Sequence, residues 1–209
     1  MSSDIALHDP FEEPARQQVA VSFGMWSFLA TECLFFAGIF LFYANARWHG
    51  GEAFLNGAGE SAFWFGTANT AILMTGSMAM AIAERAAKAD IVRLTRWMLW
   101  AMLALGLLFL AVKGVEYRKD LHEHLFPGPD FKLDSGPAEQ FWAFYWAVTA
   151  VHAVHLTIGL AATARLLWMD RHVSLHRHHS TVMASALYLH FVDIVWIALY
   201  PLLYLAGRQ

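Results

Sequence analysis

The chain is short of three things. Its 209 residues include one cysteine, Cys33, and only 15% are Asp, Glu, Lys or Arg; no stretch alternates apolar and polar residues over strand length. A single cysteine excludes an internal disulfide and argues against any centre built on several thiolates, Fe–S clusters included. The low charge sets the chain apart from an average soluble domain, in which roughly 25% of residues are charged. A formal charge of −3 is too small to imply nucleic acid as a partner. Without period-two alternation, a lipid-facing β-barrel is disfavoured. There is no internal repeat, which weakens a transporter reading, and no low-complexity segment. A secretory n-region is also missing, because Asp4, Asp9, Glu12 and Glu13 outnumber Arg16 at the N-terminus. The first apolar run is therefore expected to stay as an anchor.

Apolar surface is what the chain has in quantity: 58% of its residues are hydrophobic and the mean hydropathy is +0.42. Five runs approach the ~20 apolar residues that a membrane-crossing helix needs: Phe23–Ala44, Ala62–Ala83, Trp97–Val115, Phe141–Leu167 and Thr181–Leu205. Helices satisfy their own backbone groups in lipid. The expected fold is all-α, an integral membrane bundle of five transmembrane helices over residues 21–207, preceded by a polar cytoplasmic segment over residues 1–20. Basic residues set the expected orientation. Arg16, Arg85, Lys88, Arg93, Arg96, Arg165, Arg171 and Arg177 lie on one side, against Arg47, Arg118, Lys119, Lys132 and Arg208 on the other. That asymmetry puts the N-terminus in the cytoplasm. The longest connection, Tyr117 to Glu139, then turns outside on its Pro and Gly residues.

Polar residues inside the apolar runs are the chemical signal, since an ionised group at mid-bilayer costs about 2.5–3.5 kcal/mol on insertion scales. Glu32 lies near the middle of the first run, His152 and His155 in the fourth, and His190 and Asp193 in the fifth. Residues three apart share a helix face, so each pair is expected to meet one neighbour. Lys113 and Glu116 share a face of the third run, with Thr67, Asn69 and Thr70 of the second as candidate donors. Glu32 is expected to be protonated, or paired with a histidine or hydroxyl of another helix. Interhelical hydrogen bonding is the plainer role for all of these groups and outweighs direct chemistry. A carboxylate-bridged iron site is the sharper alternative, but the Glu-x-x-His signature is absent. A haem between His152 or His155 and His190 is conceivable without being demanded by the spacing. The loop clusters HEH and HRHH read first as solvated loops, and His176, His178 and His179 are further candidates for collecting protons. Trp48, Trp97, Trp142 and Trp168 read as an aromatic belt at the helix ends. Gly159 and Thr163 permit close helix packing.

Four blocks, GMWSFLATECLFFAGIFLFY, KGVEYRKDL, FWAFYWAVTAVHAVHLTIGL and HHSTVMASALYLHFVDIVWIALYPLLYL, in this order and spacing, resemble successive signatures of haem-copper oxidase subunit III. The second run, FGTANTAILMTGSMAMA, is similar too. The resemblance covers about Val21 to Leu205 and matches the last five helices of seven-helix members. It implies a non-catalytic core subunit of a respiratory oxidase, typically cytochrome c oxidase, that reduces O2 to water with proton pumping. It further implies contacts with subunits I and II and with small accessory subunits, and bound phospholipid. Haem and copper would lie in the partner subunits and none in this chain, which would carry no catalytic or metal-binding residue. Glu32 matches the family's intramembrane carboxylate. Asn69, Glu116, His152, His155, His190 and Asp193 fall on polar positions of its motifs. The role implied is to stabilise subunit I and support proton uptake in a bacterial plasma membrane. Quinol oxidase subunit III and a nitric oxide reductase-associated subunit are alternatives; a stand-alone di-iron or haem protein is a weaker one.

Overall fold

The computed structural model of the protein describes residues 14–170 and 179–208. Their regular elements are helical throughout: α1 (Pro14–Gly59), α2 (Phe63–Lys88), α3 (Val92–His122), α4 (Gly136–Asp170) and α5 (His179–Tyr200), then a π-helical turn at Pro201–Leu205 and a 3₁₀ turn at Ala206–Arg208. Each of the five expected runs falls on one of these helices or, for the last, on α5 and its π turn, with Ala62 of the second run standing as the residue before α2. α3 and α4 outrun their apolar cores on both sides, so the long connection shortens to residues 123–135.

Four of the helices are long and apolar enough to cross a membrane: Val19–Gly59, Val92–His122, Gly136–Met169 and Ser180–Arg208. The expectation was five. The exception is α2, which is 26 residues long and so has the length, but Gly66, Thr67, Asn69, Thr70, Thr75, Gly76 and Ser77 dilute its apolar content. Several of those small and polar residues face inward. Gly66, Asn69, Leu73, Gly76 and Met80 form a buried stripe, and at Gly66 an added Cβ would stand 2.6 Å from the Tyr204 ring.

Two turns close their helices without glycine. After α2 the N–H groups of Asp90 and Ile91 bond to the carbonyls of Ala87 and Ala86, and after α3 those of His124 and Leu125 bond to Leu121 and Asp120. Asp90 and His124 both have φ of 57°. This is the Schellman arrangement, with an ordinary side chain at the left-handed position that glycine usually fills.

The helix α1 is 46 residues long because it continues past a break at Gly51, where φ is 53° and ψ −135°. Lacking Cβ, glycine takes that conformation at no steric cost. Beyond it Phe54 folds back edge-on against Tyr43 and Phe141. Elsewhere α1 lies at the rim of the bundle: 11% of its most apolar window is buried, against 56% for the last span. Trp48, Trp97 and Trp168 are exposed, as a belt requires, but Trp142 is fully buried. It packs on Phe141 and Tyr145 in the core, so the belt reading fails there.

Outside the spans, Lys132 donates to Glu60 at 2.6 Å and ties the long connection to the α1–α2 link. This hydrogen bond raises the Lys132 pKa above its ordinary value.

Candidate functional site

The polar groups fall into three places. At the rim, Glu32 Oε2 lies 3.0 Å from His155 Nε2, joining α1 to α4 as one of the sequence expectations had it. The other ring nitrogen, Nδ1, is 2.9 Å from the Val151 carbonyl. That oxygen has no proton to give, so Nδ1 donates. The Glu32–His155 contact then holds one proton, on the carboxyl or on the ring, and the pair is neutral in either form. Phe36 meets the imidazole edge-on. The pair borders an apolar groove of about 500 Å3 lined by Met25, Phe28, Ile158, Ala162 and Tyr188.

His152 does not share that neighbour, although it is three residues from His155. It is fully buried against the rings of Phe109 and Trp196. The α4 face that carries both histidines is wide enough to be divided between α1 and the α3–α5 side. His190 Nδ1 meets Ser77 Oγ at 2.9 Å and lies 4.0 Å from Asp193. These two remain close, as their spacing implies, yet the primary partner comes from α2. The three histidines that a haem or iron site would need thus turn to three different neighbours. Among the described residues no three His, Cys, Asp or Glu side chains converge on one point that could hold a metal ion. His176 and His178 lie outside the described residues, and His179 opens α5.

The third place is sealed. Lys113, Glu116 and Asp120 lie on one face of α3, all buried. Lys113 Nζ donates to Glu116 Oε2 at 3.0 Å, Tyr145 at 2.8 Å and Tyr204 at 2.7 Å, which uses all three ammonium hydrogens. The Tyr145 hydroxyl stands 2.8 Å from Glu116 Oε1 and 3.0 Å from Asp120 Oδ2. The Tyr204 hydroxyl donates to Glu116 Oε1 at 2.7 Å. The ammonium also faces the rings of Tyr145, Tyr117, Tyr204 and Trp196, 4.5 to 5.8 Å from their centroids. The donors expected from α2 are used elsewhere: Thr67 bonds to Tyr200 and Thr70 accepts from Trp196. The Asn69 side-chain amide is buried beside them and has no hydrogen-bond partner among the described residues.

Sequence reasoning found Lys113 and Glu116 but missed Asp120, Tyr145, Tyr204 and Ser77. The steps of three and four from Lys113 to Glu116 to Asp120 were a usable signal. A tyrosine that supplies a hydroxyl to a distant helix looks like any other aromatic residue of a membrane span.

The family description "Cytochrome c oxidase subunit III" matches residues 13–208. A cytochrome c oxidase subunit 3 of Thermostichus vulcanus is 30% identical over 190 residues, which is 88% of this chain and 87% of that protein. A heme-copper oxidase subunit I+III of Aeropyrum pernix is 32% identical over 188 residues, 87% of this chain and 22% of that longer protein. A cytochrome bo(3) ubiquinol oxidase subunit 3 of Buchnera aphidicola is 23% identical over 210 residues, 99% of this chain and 94% of the relative.

Proposed function

The chain belongs to the cytochrome c oxidase subunit III family, and from that premise we propose that it is the supporting third polypeptide of a respiratory oxidase that reduces O2 to water and pumps protons. The match over residues 13–208 carries this reading. Contact with subunit I is its first corollary, supported by the relative whose name joins subunits I and III; subunit II and accessory subunits complete the assembly. Haem and copper supply the redox chemistry from those partners. This chain's residues supply packing, a neutral Glu32–His155 pair and two apolar grooves between α1 and α4. One groove contains the pair; the other, about 460 Å3, is lined by Phe35, Phe42, Phe144 and Val151. Phospholipid chains are the occupants proposed for both. Support for proton uptake by subunit I is assigned to the side of the bundle that holds His176, His178 and His179.

The reading places all five helices across a bacterial plasma membrane with the N-terminus inside. A 26-residue helix spans about 39 Å, more than the ~30 Å hydrocarbon layer. The short links on both sides of α2 make it the return path between α1 and α3. Reporter fusions at the N-terminus and in the α2–α3 turn then fall on the cytoplasmic side, and one in residues 123–135 on the opposite side.

The direct test is affinity capture of the full chain from its native membrane. Expected are co-purifying subunits I and II, haem absorbance that follows those subunits, and O2 consumption with reduced cytochrome c. Activity with ubiquinol alone moves the chain to the quinol branch. Metal or haem retained by the isolated chain overturns the reading. Replacing His176, His178 and His179 together is expected to slow proton uptake at high pH; an unchanged rate removes that part.

A further inference from the structure

We propose that the sealed node on α3 is a proton-binding site, and that Asp120 carries the proton there as a neutral carboxylic acid. Hydrogen counting at a single oxygen makes the case. The Tyr145 hydroxyl oxygen has Lys113 Nζ at 2.8 Å, Glu116 Oε1 at 2.8 Å and Asp120 Oδ2 at 3.0 Å. A phenol brings one hydrogen and offers two lone pairs. The ammonium donates into one lone pair, and the phenol hydrogen goes to one carboxyl oxygen. The other carboxyl oxygen then faces the second lone pair, and two acceptors this close need a hydrogen between them. One of the two carboxyl groups supplies it.

Glu116 is the wrong one. It receives Lys113 on Oε2 and Tyr204 on Oε1, which is the part of an ionised acceptor. Asp120 is 1% exposed and meets the node at the Tyr145 hydroxyl. It therefore donates to Tyr145, which donates to Glu116. Charge agrees with this count: one cation stands with two carboxyl groups, and a proton on the second makes the node neutral, whereas a net charge sealed between helices is costly. The other groups nearby leave the count unchanged. Lys119 is 43% exposed and lies 3.5 Å from Glu123, Tyr117 bonds to Thr149 at 2.7 Å, and Tyr204 reaches the node through Lys113 and Glu116. The connection after α3 meets Asp120 through its backbone, where the Leu125 N–H bonds to the Asp120 carbonyl. An aspartate in an unfolded chain is ionised at neutral pH, so closing the node takes up a proton.

The test is infrared spectroscopy of the full chain in detergent at neutral pH, read at the carbonyl stretch of a protonated carboxylic acid. The unaltered chain is expected to show an acid band that D120N loses, and 13C labelling of aspartate carboxyl groups is expected to shift that band. No loss in D120N overturns the proposal, as does a lost band that ignores the label. A second readout is stability against pH. The folding constant of the unaltered chain, relative to that of D120N, is expected to fall on the order of tenfold per pH unit between about pH 5 and pH 7, because only the unaltered chain must take up the proton. A ratio that stays flat, or rises, overturns the proposal. Should D120N fail to fold, labelled D193N decides, since Asp120 is then the one buried aspartate among the described residues: a label-sensitive acid band supports the site and its absence removes it.

Discussion

Two charged pairs lie inside this bundle, one between α1 and α4 and one within α3, and they are built differently. Glu32 and His155 keep 19% and 16% of their side-chain surface exposed and share one hydrogen bond at the edge of a groove. Lys113 and Glu116 keep 3% and 0% and are held by two tyrosines that each touch both partners. The first pair borders an open groove, and moving its one proton from ring to carboxyl removes both charges together. The second has no route to solvent, so each of its members depends on all the others. A buried pair adds little net stability over an apolar replacement, but deleting one member leaves an uncompensated charge. Rigidity belongs to the sealed node and responsiveness to the rim.

The largest effect should come from breaking the sealed node. Glu116→Gln or Lys113→Ala is expected to cost about 3–5 kcal/mol, read as a lowered denaturation midpoint of the full chain in detergent. A loss below about 1 kcal/mol would mean that water reaches the cluster. Tyr204→Phe comes next, at about 1–3 kcal/mol, because it removes a hydroxyl from two buried charged partners. Asp120→Asn should cost less than either, since it meets the cluster only through Tyr145. Glu32→Gln is placed lower again, at under about 1 kcal/mol, since an amide can still bond to His155 and the rim is open. A cost equal to that of Glu116→Gln would erase the contrast between the two pairs. The surface pair Lys132–Glu60 closes the series, at about 0–1 kcal/mol and less in high salt. Its hydrogen bond raises the Lys132 pKa, so this contribution is complete below the ordinary lysine pKa and fades as pH climbs through the raised value. A pH series of Lys132→Ala against the unaltered chain checks the sign.

The helices were legible because lipid leaves a spanning chain few alternatives, and Glu32 was legible as a residue that needed a partner. What escaped was everything decided between helices. Trp142 reads as a belt residue until Phe141 and Tyr145 are seen to enclose it. His152 and His155 share a face by spacing, yet that face is divided between α1 and the α3–α5 side. Asp90 and His124 close their helices in the left-handed position that glycine usually fills, so no glycine marks those two helix ends in the sequence. For α2, polarity that lowers its likeness to a lipid-facing span is what seats it against Tyr204 and Trp196.

Lys113 and Tyr204 are 91 residues apart, and that interval has a consequence for biosynthesis. When α3 leaves the ribosome, Tyr204 has not yet been made and Tyr145 has not yet reached the bilayer, so a lysine and an acid must enter it without their final cradle. Their three-residue spacing lets them neutralise each other within a single helix during that wait. The π-helical turn that carries Tyr204 then arrives as a closing latch, and a ribosome that stops short of it would release a bundle whose most polar point is still ajar.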